Sequence, residues 1–263
     1  MLFVEGISKT FFPHTVNERV ALDDVTVTLD EGDFVTVIGS NGAGKSTLLN
    51  VVAGVYRPDS GTLTIDGRDV TRDPDYRVAG KVARVFQDPM AGTAPNLTIE
   101  ENLALALARG RRRGLRWGVT RAKRELFRTE LATLELGLEN RLGTRVGLLS
   151  GGQRQALSLL MATFSNPRIL LLDEHTAALD PARAELIARL TAEAVTRHKL
   201  TTLMVTHNME QALALGNGLV MMHEGRIVHR LGRDAKRAAT VADLLAEFAK
   251  IKGATLSDKS LLA

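Results

Sequence analysis

The chain has 263 residues, enough for one large domain with an insertion, and its 44% hydrophobic content is that of an ordinary globular protein. It contains no cysteine, which excludes disulfides and thiolate metal sites, and its formal net charge of +4 leans modestly towards anionic partners without selecting one. No apolar run approaches the roughly 18 to 20 residues of a membrane-spanning helix, and the first residues lack a basic region followed by an apolar one, so neither a span nor a secretory signal is expected.

From Leu2 to Leu29 apolar residues alternate with polar ones, as at Val25, Val27 and Leu29, which predicts an antiparallel β layer broken by a polar loop. Phe11 and Phe12 fall at that loop, where either one offers a flat face to a base or packs at a sheet edge. The apolar run Phe34 to Ile38 then leads into Gly39, Ser40, Asn41, Gly42, Ala43, Gly44, Lys45, Ser46 and Thr47. This fits G-x-x-x-x-G-K-[ST] between a strand and a helix, a phosphate-binding loop in the context the motif requires. Its glycines let backbone N–H groups converge on an anion, and the following helix adds the positive end of its dipole. Lys45 is the point charge for outer phosphates, and the Ser46 hydroxyl a ligand for the accompanying magnesium.

Gly54 closes that helix, and Asp66-Gly67 marks a hairpin. Val82 to Phe86 is a short strand ending in Gln87-Asp88-Pro89. Beyond it the pattern becomes helical: Thr98 and Glu101 make a capping box ahead of Ile99, Leu103, Ala106 and Leu107 on one face. A basic run with Arg111, Arg112, Arg113 and Arg116 precedes Trp117 and a helix from about Thr120 to Leu136. It reads as a solvated face or as a contact for anionic headgroups or the cytoplasmic loops of a membrane protein.

Ser150, Gly151 and Gly152 form a turn before a strongly apolar helix, a second glycine-rich helix start and so a second anion site. Ile169 to Leu172 is a buried strand ending in Asp173 and Glu174, at the edge where α/β sheets place their chemistry. Two adjacent acids with no basic partner are costly there unless a metal and a water use them. Asp173 suits the magnesium, and Glu174, one residue on, is free to polarise an attacking water. Pro181 starts a helix with Leu186, Ile187, Leu190 and Ala194 inward, and a third apolar strand ends at Thr206-His207. A hairpin turning at Glu224-Gly225, a helix from Val241 to Ile251 and a frayed tail follow.

With LSGGQ at Leu149 to Gln153, these motifs resemble the nucleotide-binding subunit of an ATP-binding cassette (ABC) transporter over nearly the whole chain. The fold expected is α/β: a P-loop NTPase core with a mainly parallel sheet, an antiparallel β subdomain and an inserted helical subdomain at about 89–164. Together these make one ABC ATPase domain over 1–252, with a tail at 253–263. The resemblance implies ATP and Mg2+ as ligands, with Glu174 as catalytic carboxylate, Asp173 as the magnesium-associated aspartate, and Gln87 as the glutamine that contacts magnesium and reports to membrane subunits. It also implies that His207 senses the γ-phosphate and that Asp180 lies in the loop linking two subunits. Phe11 stands where the family carries its adenine-stacking aromatic. Ser150, Gly151, Gly152 and Gln153 would close on the ATP of a partner chain in a head-to-tail homodimer. His175 departs from the proline or alanine commoner at that place.

A cassette without fused spans resembles bacterial importer subunits, working on the cytoplasmic face with transmembrane permease subunits and a separate solute-binding protein. A small solute such as an amino acid is expected, and no nucleic acid. An exporter subunit or a cytosolic cassette ATPase of the iron–sulfur assembly type remains the alternative. No N-K-x-D motif supports a GTPase.

Overall fold

The computed structural model describes residues 1–110 and 117–250. The basic run at 111–116 and the tail from 251 onward lie outside the described residues. The N-terminal alternation forms β1 (Leu2–Phe11) and β2 (Arg19–Leu29), which with β4 (Ser60–Ile65) and β5 (Arg68–Asp69) make an antiparallel sheet in the order β2-β1-β4-β5. Asp66 and Gly67 turn the β4–β5 hairpin, both at positive φ as a two-residue turn demands.

A second sheet of six strands has the order β10-β9-β3-β8-β7-β6. It comprises β3 (Phe34–Gly39), β6 (Val82–Val85), β7 (Ile169–Asp173), β8 (Thr201–Val205), β9 (Gly218–His223) and β10 (Arg226–Leu231). All pairings are parallel except the β9–β10 hairpin, which turns at Glu224-Gly225 as expected. Both faces are covered, which explains why its strands read as continuous apolar runs. Ile169 and Leu171 of β7 face α1 (Lys45–Val52) and the antiparallel sheet, while Leu170 and Leu172 face the helical side.

Between β6 and β7 come α3 (Ile99–Leu107), α4 (Arg121–Ala132) and α5 (Gly151–Thr163), joined through tight single turns at Leu138–Asn140 and Val146–Leu148. The capping box forms: Thr98 accepts from the Glu101 N–H, and the Glu101 carboxylate accepts from the Thr98 N–H. The helix expected to reach Leu136 stops at Ala132, because Glu135 and Gly137 adopt positive φ and reverse the chain. Short helices α2 (Asp75–Val78), α7 (Met209–Ala214) and α8 (Arg233–Ala238) add turns that apolar periodicity does not signal. Residues 241–250 are helical.

His175, next to the β7 edge, is buried against α6 (Pro181–His198). Its Nε2 lies 2.9 Å from the Thr191 hydroxyl, whose own proton is donated to the Ile187 carbonyl at 2.7 Å. Nε2 must therefore be the protonated nitrogen, and Nδ1 has no partner among the described residues. Burial pushes the imidazole down to about 4. The unfolded chain protonates this group near pH 6.5, so acid draws the equilibrium towards unfolding between that value and about 4. Denaturant titrations from about pH 7 down to about 4.5 should show the wild type losing roughly 2–3 kcal/mol that a His175→Gln variant does not lose. Parallel pH profiles for the two proteins would remove this assignment.

Candidate active site

The phosphate loop joins β3 to α1 along one wall of a cleft. Gly42 and Gly44 take positive φ of 81° and 95°, a left-handed backbone that glycine adopts without strain. Gly39 is required for a different reason than backbone curl: a Cβ there would stand 2.3 Å from the Met222 carbonyl on β9. Lys45 opens α1 and is buried, its Nζ donating to the carbonyls of Gly39 at 2.8 Å and Ser40 at 3.0 Å. Burial pulls its pKa below the usual lysine value, while the charges of Glu174 and then Asp173 oppose that shift. Ser40, Asn41, Ala43, Ser46 and Thr47 complete the loop, with the Ser46 side exposed at the mouth.

The opposite wall comes from the antiparallel sheet. Phe11 ends β1 and lines the cleft with Arg19 and Ala21 of β2. Phe12, by contrast, is 67% exposed at a φ of 52° and takes no part in the lining. Phe11 is braced edge-on by Tyr56, with ring centroids 5.3 Å apart. Arg19 donates to the Gly42 carbonyl at 3.2 Å, so a cation that sequence reasoning missed leans over the phosphate loop. Only the β2 pairing, which sets Arg19 opposite Phe11, could have signalled it.

Asp173 and Glu174 stand at the end of β7 beside that loop. The expectation that the pair lacks a basic partner is overturned: Arg84 Nη2 lies 2.5 Å from Asp173 Oδ2. β6 and β7 are parallel neighbours that set Arg84 opposite Leu171, two residues before Asp173. Glu174 adopts a φ of 44°, unusual for a carboxylate residue, and its N–H is held by the Val205 carbonyl at 2.9 Å. Its Oε2 lies 3.3 Å from His207 Nδ1, two residues past the end of β8, a contact the sequence did not indicate. Gln211 braces this arrangement by accepting from both Thr176 and Thr206, each at 3.1 Å.

Gln87 is exposed on the loop after β6, and buried Gln155 of α5 anchors that loop by donating to the Phe86 carbonyl at 3.3 Å. Ser150 caps α5 in a reciprocal box with Gln153, and neither residue lines the phosphate-loop cleft. The start of α5 lies instead against the start of α6. A Cβ on Gly152 would meet Arg183 Cδ at 3.0 Å, and one on Gly151 would meet Leu179 at 3.8 Å. Asp180 caps α6, accepting from the Arg183 N–H at 3.1 Å, and is likewise absent from the cleft lining.

A family model described as ABC transporter matches residues 22–177. A tyrosine transport ATP-binding protein of Clostridioides difficile (strain R20291) is 42% identical over 253 residues, which cover 94% of this chain and 98% of that one. A thiamine import ATP-binding protein of Escherichia coli (strain K12) is 36% identical over 202 residues, 77% and 82% of the two chains. Among solved structures, a dimeric post-hydrolysis state of an ATP-binding cassette bound to ADP and Pi superposes with a TM-score of 0.76 at 28% identity, covering 88% of this chain and 98% of that one.

Gly44 is where the loop tolerates a side chain least, since a Cβ would stand 2.3 Å from the Ala21 carbonyl in addition to the positive φ. At Gly32, with a φ of 81°, a Cβ meets nothing within 4 Å. Gly44→Ala should therefore weaken binding of a fluorescent nucleoside triphosphate by at least about tenfold, whereas Gly32→Ala costs only about 1–2 kcal/mol of stability. Equal binding by the two variants would show that the loop does not hold the polyphosphate.

Proposed function

The chain belongs to the ABC transporter family and is the ATP-hydrolysing subunit of an importer, and we propose that its hydrolytic site is built from Lys45, Asp173, Glu174 and His207, and that its solute is an amino acid. The observation that carries the catalytic reading is that the Lys45 ammonium and Glu174 line one cleft, with the Asp173 carboxylate at the end of β7 close enough for its charge to act on the same ammonium. Lys45 and the loop amides hold the outer phosphates, and Phe11 provides the surface for adenine.

The donors present fit magnesium. The Ser46 hydroxyl, the Asp173 carboxylate and the Gln87 amide carbonyl are hard oxygen ligands, and no cluster of three or more His, Cys, Asp or Glu forms a metal site among the described residues. Such a set leaves the remaining positions to phosphate oxygens and water, as Mg2+ prefers. When bound, the ion would neutralise charge on the transferring phosphoryl group. Glu174 then accepts the proton of the attacking water, and His207 holds the Glu174 carboxylate in place.

The start of α5 takes no part in the cleft of its own chain, and its glycine-rich turn with the dipole of a helix of 13 residues suits the ATP of a second copy. The dimeric solved cassette supports the pairing of two chains. The ABC ATPase domain spans 1–252, with a helical subdomain at 89–164. That subdomain and the Gln87 loop are the surfaces offered to permease subunits, which a separate solute-binding protein would serve. No helix of the described residues is long and apolar enough to cross a membrane, so the permease would supply the span and hold this chain on the cytoplasmic face. The amino-acid assignment rests on the tyrosine transport relative, 98% of whose length this chain covers.

Glu174→Gln should keep nucleotide affinity while turnover falls by about 10² to 10⁴. Near-normal steady-state phosphate release by that variant would sink the role given to Glu174. For the shared site, Lys45→Ala and Ser150→Arg chains should each be inactive alone, and their mixture should recover part of the activity through dimers that keep one intact composite site. Activity per chain that stays constant on dilution in a demonstrably monomeric sample would exclude pairing.

A further inference from the structure

Arg84 is a charged side chain built into the buried part of the sheet, only 13% exposed, and the reaction as described above does not use it. Strand alternation turns it, with Val82, to the α1 face, the same face that receives Ile169, Leu171 and Asp173. Its guanidinium joins the end of β7, the helix α1 and the residue that precedes Gln87. Nη2 bonds Asp173 Oδ2 at 2.5 Å, Nη1 donates to Asn50 Oδ1 on α1 at 2.6 Å, and Cζ lies 4.8 Å from the ring centroid of Phe86. A planar fork with fixed donors suits this bridging, and a flexible ammonium does not.

We propose that Arg84 is a positioning residue that sets how strongly Asp173 draws a divalent cation to the nucleotide site, by holding that carboxylate between α1 and the Gln87 loop. This rests on the reading of Asp173 as the magnesium-associated carboxylate. With Arg84 in place, part of the Asp173 charge is compensated and the carboxylate is aimed by its one hydrogen bond from Arg84, whose other arm is fixed by Asn50. Without it, a full negative charge faces the phosphates. Such a charge repels metal-free ATP and attracts Mg2+, so the ratio of affinities for nucleotide with and without the metal reads the effect directly.

The test titrates a fluorescent ATP analogue into the full chain in excess EDTA and in excess Mg2+. Arg84→Met should raise the affinity ratio roughly tenfold, the size of a one-unit electrostatic perturbation, chiefly by weakening the metal-free complex. Arg84→Lys, which keeps the charge but not the fork, should recover only part of the wild-type ratio, and Arg84→Met should change nothing when Asp173 is already Asn. A variant that lowers both affinities by the same factor, or an effect of Arg84→Met that persists undiminished in the Asp173→Asn background, overturns the proposal. If Asp173→Asn alone leaves the ratio untouched, the metal role of Asp173 fails and this inference falls with it. A shift in that single variant with none for Arg84→Met defeats the inference alone. Should thermal melts show Arg84→Met unfolded, Arg84→Gln carries the same comparison.

Discussion

The six-stranded sheet is covered on both faces, and that burial governs where chemistry can stand. Within β3, β7 and β8 a side chain must be apolar or fully bonded, because an unpaired polar group there forfeits its hydration without return. Thr36 on β3 shows the rule, donating to the Ala212 carbonyl at 2.9 Å beneath the sheet. Lys236 of α8 shows its limit: its buried ammonium donates to Thr36 Oγ1 at 3.1 Å, to the Gly218 carbonyl at 3.0 Å and to the Leu215 carbonyl, and burial still pulls its pKa down to about 8. Reactive groups are therefore displaced to the C-terminal ends of the strands. Lys45, Asp173, Glu174 and His207 all follow the last strand residues of β3, β7 and β8 or end them.

Crowding charge at one edge creates a problem of balance, and the chain meets it with cations held on rigid supports. Lys45 opens a helix and is fixed to two loop carbonyls. Arg84 is fixed to a helix side chain and a strand end. Glu174 accepts a left-handed backbone that its hydrogen bond to Val205 sustains, which costs local stability and secures its direction relative to His207. Rigid placement matters because a group that must reorganise during the reaction loses much of its electrostatic effect.

The parts of this site that were legible in the sequence are those whose chemistry is local. A phosphate loop is a contiguous turn between a strand and a helix, and Ser150 caps its helix within four residues, so spacing alone exposes both. Asp173-Glu174 was legible as the end of an apolar run, and His207 likewise. Arg84 was not, since its partner lies 89 residues away and only the β6–β7 register brings them together. Arg19 and Gln211 escaped for the same reason: each acts across a pairing or between loops that periodicity does not encode. The fold classes of both sheets were readable from alternating against continuous apolar runs, whereas α2, α7 and α8, each of six residues or fewer, are too short to show a period.

Phe86 joins two of these non-local connections. Its ring lies beside the Arg84 guanidinium, and its carbonyl accepts from Gln155, two residues beyond Gln153 on the helix that Ser150 caps. The loop bearing Gln87 is thus held on one side by the strand edge that carries Asp173 and on the other by the helix whose start carries the glycine-rich turn. A Cβ at Gly92 would stand 2.8 Å from Ser158 Oγ of the same helix, so this loop packs closely along α5 past its anchor. Because close-packed elements shift together more readily than they deform, displacement of α5 relative to the sheet must be accommodated at Phe86 and the exposed Gln87 beside it. That geometry gives an event at the phosphates a short material route through Phe86 to both the Gln87 loop and α5.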